Sequence, residues 1–148
     1  MQPDLSRRAA LAGAAALPLA ATTPVAALSN PDAELLAAWD GFVRANREFK
    51  RAYAALPNGG TDAEHEPYYR VIDFHRERVE GLPARTAAGV AVKLRLLFSM
   101  QMGCIASFNT AVYGEPVSDK LAASLGEELH GSMLWRLIQD VERMAANA

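Results

Sequence analysis

The stretch LLAAWDGFVRANREFKRAYAAL, Leu35 to Leu56, decides the fold class. Its large apolar side chains, Leu35, Trp39, Phe42, Phe49, Tyr53 and Leu56, recur together with Asn46 at spacings of 4, 3, 4, 3, 4 and 3. That is an a/d stripe, in which residues three and four apart share one face of a helix. A strand would alternate apolar and polar residues in twos, and no segment of the chain does so. Asn46 is the one polar member of the stripe. A lone polar residue at such a position can set register or oligomeric state at some cost in stability, so Asn46, Trp39, Phe42 and Phe49 form a candidate interaction face. The alternative is that Asn46 meets solvent where the stripe drifts off the core.

The flanks punctuate this helix. Asn30 can cap it, Pro31 suits a first turn, and Asp32 and Glu34 meet the positive end of its dipole. Pro57-Asn58-Gly59-Gly60 stops it. A second helix is expected from about Pro67 to Glu80. Thr61-Asp62-Ala63-Glu64 reads as a capping box for an earlier start, but Pro67 opposes one. Tyr68, Ile72, Val79 and Leu82 give this helix its apolar face, with His75 on the same stripe, and His65 is placed in the preceding loop. A third helix is expected from about Thr86 to Val112. Leu96 to Val112 carries no charge at all, which fits the buried centre of a bundle. Its 17 uncharged residues would reach only ~25 Å, short of the ~30 Å hydrocarbon core of a bilayer. After the turn Tyr113-Gly114-Glu115-Pro116, a fourth helix capped by Ser118 or Asp119 carries Leu121, Leu125 and Leu129, with a kink at Gly131-Ser132, and continues to Met144. The expected architecture is all-α: a four-helix, mainly antiparallel bundle with a central apolar third helix.

The segment Pro83-Ala84-Arg85-Thr86-Ala87-Ala88-Gly89-Val90-Ala91-Val92-Lys93 is similar to a stretch in small bacterial all-helical proteins of uncharacterised role, which often begin with a twin-arginine-like sequence. The resemblance implies a helix start, with Thr86 as cap and Gly89 allowing close helix approach. It brings no activity with it.

The first 30 residues, MQPDLSRRAALAGAAALPLAATTPVAALSN, have the layout of an export signal. A short polar start ends in Ser6-Arg7-Arg8. A mild Ala-rich run follows, and then small residues suited to signal peptidase, Val25 and Ala27, with cleavage before Leu28. Ser6, Arg7, Arg8 and Leu11 match the pattern of a twin-arginine signal, which this start resembles. Ala10 stands where Phe is usual and Ala12 where Lys is common. The resemblance implies a receptor-read address, not an anchor, and a protein that crosses the membrane already folded. The expected division is therefore 1–27 as signal and 28–148 as helical domain, with the product in the periplasm and the export machinery as the N-terminal partner. The alternative is a cytoplasmic or prophage-type helical accessory protein with an N-terminal arm.

Taking 27 residues from 148 leaves 121, one ordinary domain. Arg7, Arg8 and Asp4 go with the signal, so 15 basic and 17 acidic side chains become 13 and 16, a net charge of −3. Nucleic-acid binding calls for a basic patch or stripe, which this balance does not offer. Cys104 is the only cysteine, so an internal disulfide and a four-thiolate cluster are excluded.

Chemistry is sparse. A di-iron bundle needs two Glu-x-x-His pairs and two further Glu residues. Glu127-Glu128-Leu129-His130 supplies one pair, Asp62-Ala63-Glu64-His65 a poor second, and the third helix has no carboxylate. Met100 and Cys104 share a helix face and are soft-metal donors, but both residue types are common core material. None of the three histidines lies in a nucleophile motif. The leading expectation is a non-enzymatic exported protein, without cofactor or stable membrane span, acting through self-association or a partner helix. The alternative is a periplasmic carrier of a metal or small apolar ligand, with Glu127, His130, Met100 and Cys104 as the groups to test.

Overall fold

The structure is a computed structural model describing residues 30–127 and 129–147. The signal positions Ser6, Arg7, Arg8, Leu11, Val25 and Ala27 lie outside the described residues. What is described is all-α: six helices and one 3-10 turn, with no strand among these residues. α1 is Ala33–Ala55, α2 Asp62–Gly81, α3 Ala87–Gln101, α4 Ile105–Tyr113, α5 Asp119–Glu127 and α6 Leu129–Ala146, and the 3-10 turn is Pro57–Gly59.

Two antiparallel pairs organise the chain. α1 and α2 pack together with Glu34 bonded to Arg78 (2.6 Å) at one end and Phe49 against Tyr69 (5.1 Å) at the other. α3 and α6 pack with Arg95 on Glu142 (2.5 Å) at one end and Phe98 on Trp135 (5.2 Å) nearer the other. Arg95 also donates to the Ala111 carbonyl (2.9 Å), which ties α4 into the same junction. α3 touches α1, α2, α4 and α6, but the uncharged run Leu96–Val112 is not buried throughout: Leu97, Met100 and Ile105 are exposed. Phe98, Leu35, Leu121, Ile138 and Val79 are fully buried between these elements. Removing such side chains from water is the main favourable term.

The long third helix is two helices. α3 ends at Gln101, Gly103 adopts φ +57°, and Cys104 caps α4. Left-handed glycine just past a helix end satisfies orphan carbonyls at no Cβ cost. The Cys104 sulfur accepts from the Ser107 N–H (3.4 Å), a role usually taken by Ser, Thr, Asp or Asn. The last segment is described as α5 and α6, and Gly131-Ser132 lies inside α6 without breaking it. α2 begins at Asp62, not Pro67. The capping box forms, with the Glu64 carboxylate accepting from the Thr61 N–H (2.8 Å) and the Thr61 hydroxyl accepting from the Glu64 N–H (3.4 Å). Pro67 then costs one helical bond inside an otherwise anchored turn.

One polar junction joins the two pairs. Asp32, 1% exposed, accepts from the Arg85 N–H (2.8 Å), the Thr86 N–H (2.8 Å) and the Thr86 hydroxyl (2.5 Å). These bonds, the Thr86 hydroxyl foremost, hold its carboxyl below the ordinary range. Thr86 meanwhile caps α3 by accepting from the Gly89 N–H (3.2 Å). A Cβ on Gly89 would sit 2.2 Å from the Asp32 Oδ2, so the glycine is what lets α3 meet the start of α1. Asn30 caps one step early, its Oδ1 accepting from the Asp32 N–H (2.9 Å).

Candidate binding surfaces

The α1 stripe divides along its length. Phe42 is buried and Trp39, half-buried, stacks on it with centroids 5.6 Å apart. Asn46 is buried at 8% exposure and donates to the Phe42 carbonyl (2.9 Å), so its amide is partly satisfied within its own helix. Phe49 and Tyr53 continue toward the helix end. There they meet His65, which lies in the first turn of α2, 6% exposed, and not in a loop. Its ring packs against Phe49 (5.1 Å), Tyr53 (5.6 Å) and Tyr69 (5.8 Å), and its Nε2 donates to the Gly59 carbonyl at 2.6 Å. That bond places the proton on Nε2 and latches the turn after α1.

The same α1 residues form one wall of a cleft of about 420 Å³, within the ordinary range for small-ligand sites. Asn46, Phe49, Lys50 and Tyr53 line it from α1, and Ile105, Phe108, Asn109 and Tyr113 from α4. Both sets follow three-and-four spacing, so each is one helix face. Ile105 is 80% exposed at the lip. Tyr113 carries two cations over its ring, the Arg47 guanidinium at 5.6 Å and the Lys50 ammonium at 5.2 Å from the centroid. Burial pushes the Tyr113 phenol above its ordinary value, against the pull of Arg47.

The weak metal candidates are scattered. Glu127 and His130 are exposed, and Met100 is 53% exposed. His130 borders a groove with Leu97, Met102 and Leu134, whereas Met100 borders another with Val79 and Lys93. Cys104 is exposed at the α4 cap, where its hydrogen bonds with Ser107, that with the side chain first and that with the backbone N–H next, hold the thiol below its ordinary value. Among the described residues no three His, Cys, Asp or Glu side chains gather as a metal site, and no helix is long and apolar enough to cross a membrane.

A second surface lies on α6. Its inner face puts Gly131, Trp135, Ile138 and Glu142 toward α3 and the core. Its outer face leaves Met133 (59%), Leu137 (47%) and Met144 (63%) exposed. Asp140, paired to Arg143, falls within this stripe, and Arg136 flanks it.

No family model matches the chain, and comparison with curated proteins and with solved structures returns no match. The cleft was hidden from sequence reasoning by the unseen break at Gly103. Once α4 is a separate helix, the spacing of Ile105, Phe108, Asn109 and Tyr113 gives its cleft face directly.

Proposed function

We propose that this chain is an exported, non-catalytic helical protein that acts through protein contacts, its partner being a second copy docked along the outer face of α6. The supporting observation is the exposed stripe Met133, Leu137 and Met144. With Asp140 it spaces as 4, 3, 4, a seam that reads the same in both directions. Two copies laid antiparallel set Met133 over Met144 of the second copy. The same register brings Arg136 beside Asp140 of the second copy, once on each side of the two-fold, as an isologous interface requires. α6, at ~27 Å, is long enough for several such layers. Within each copy, α1, α2, α3 and α6 serve as the walls of a four-helix bundle.

Light scattering over a range of concentrations tests this. The expected mass is that of two chains, falling to one in Leu137→Glu, whose exposed site leaves the far-UV circular dichroism unchanged. Arg136→Glu and Asp140→Arg each weaken the pair, and the double variant restores it. A one-chain mass for the parent protein at every concentration overturns the reading.

Export rests on the layout of residues 1–27, and the periplasm is the compartment it implies. Cleavage after Ala27 leaves every contact described above in place, since those begin at Asn30. A periplasmic form beginning at or near Leu28, lost in Arg7→Lys/Arg8→Lys, is the expected result in the native host. Full-length cytoplasmic protein would instead favour the accessory-protein alternative.

A further inference from the structure

We propose that the cleft between α1 and α4 is a binding site for a long-chain monocarboxylate, its hydrocarbon along the cleft and its carboxylate at the Tyr113 end. The body of the site is apolar. Phe49 and Tyr53 face Ile105 and Phe108 across the cleft. Ile105 at 80% exposure and Tyr53 at 52% leave apolar surface in water that a hydrocarbon chain would cover. Aromatic walls fit an aliphatic chain as well as a ring and make no demand for hydrogen bonds along its length.

One end of the cleft differs. Arg47 and Lys50 converge on the single ring of Tyr113. Among the described residues Arg47 has no carboxylate within ion-pair distance, and Lys50 has only Glu115 at 3.9 Å, with both side chains about half exposed. Such a surface pair is weak. Lys50 lines the cleft and Arg47 stands behind it over the Tyr113 ring, so two cations against one carboxylate leave a net positive charge beside the Tyr113 end of the cleft. The Asn109 side-chain amide, half-buried in the same wall, has no hydrogen-bond partner among the described residues. A carboxylate head supplies the missing charge to Arg47 and an acceptor to the Asn109 amide. The chemistry that matches both ends is one anion on an unbranched apolar chain. A neutral lipid would leave the cations unanswered, and a polyanion would leave the walls bare.

The test is calorimetric titration of the full chain with dodecanoate below its micelle concentration, beside dodecanol. Dodecanoate is expected to bind at one site per chain, and dodecanol about tenfold more weakly, as loss of a charge-assisted hydrogen bond requires. Arg47→Ala/Lys50→Ala should erase that preference while keeping residual affinity for both. Ile105→Glu, at an exposed position that leaves the fold intact by circular dichroism, should abolish binding of both. Absence of dodecanoate binding overturns the proposal. So does equal affinity for acid and alcohol, or binding indifferent to Ile105→Glu. A change of mass in Ile105→Glu by light scattering would assign the cleft to a second copy and overturn it as well.

Discussion

Replacing Gly89 by alanine sets two known effects against each other. In the interior of a helix, Gly→Ala is favourable by about 0.5–1 kcal/mol, since glycine loses more backbone freedom on folding. At Gly89 the added methyl would stand 2.2 Å from the Asp32 Oδ2, 2.7 Å from its Cγ and 3.1 Å from the Leu35 Cδ2. The carboxylate cannot swing aside without breaking its bonds to Arg85 and Thr86, and Leu35 is buried. Overpacking a fixed site costs about 1–3 kcal/mol. The clash therefore outweighs the propensity gain, for a net loss of about 1–2 kcal/mol. For a domain of this size that lowers Tm by roughly 4–8 °C. Gly126→Ala is the control: the added methyl meets nothing within 4 Å, so it should be neutral or stabilising by up to about 1 kcal/mol. Thermal and urea unfolding followed by far-UV circular dichroism read both. A Gly89→Ala protein as stable as Gly126→Ala would refute the account of the α1–α3 junction.

Three further outcomes are expected. His65→Phe keeps the aromatic packing but leaves the Gly59 carbonyl without its donor, so it should cost about 1–2 kcal/mol and speed amide exchange in residues 56–60. Burial, then Arg44 and Arg78, hold His75 below its ordinary 6.5, so the unfolded chain takes up that proton first; its stabilising contribution is complete above about pH 6.5 and lost as pH falls further, and His75→Gln should flatten that acid-side decline in the urea midpoint. Alkylation of Cys104 by iodoacetamide should show a pH midpoint below 9.0, and Ser107→Ala should move it upward; an unchanged midpoint would show that the α4 cap does not tune the thiol.

The sequence carried the helical class because the Leu35–Leu56 stripe is long and its period unambiguous. Thr86 and Gly89 were also legible, as a cap and a close approach, although the carboxylate that approaches was not. Asp32 looked like a first-turn acid and became the link between residues more than fifty apart in sequence. Gly103 was not legible as a break. One glycine in an uncharged run reads as tolerated, and cysteine is not an expected cap. His65 was misplaced because Pro67 argued for a late start, while the Thr61–Glu64 box and the aromatic ring contacts outweighed it. The cleft depends on both of these local choices, so only its α1 wall was visible beforehand, through Asn46 and Phe49.

The pairing of α1 with α2 and of α3 with α6 has a consequence for how the molecule opens. Cooperative opening follows packed units, and these two helix pairs are the natural ones. Native-state hydrogen exchange should therefore resolve two tiers, with the Arg85 and Thr86 amides, bonded across to Asp32, exchanging only when the tiers separate. The cleft takes one wall from α1 and the other from α4, which Arg95 ties to the α3–α6 pair through the Ala111 carbonyl. Anything held there fastens the two helix pairs together, so its occupancy would be felt as slower exchange far from the cleft, at the opposite end of α1.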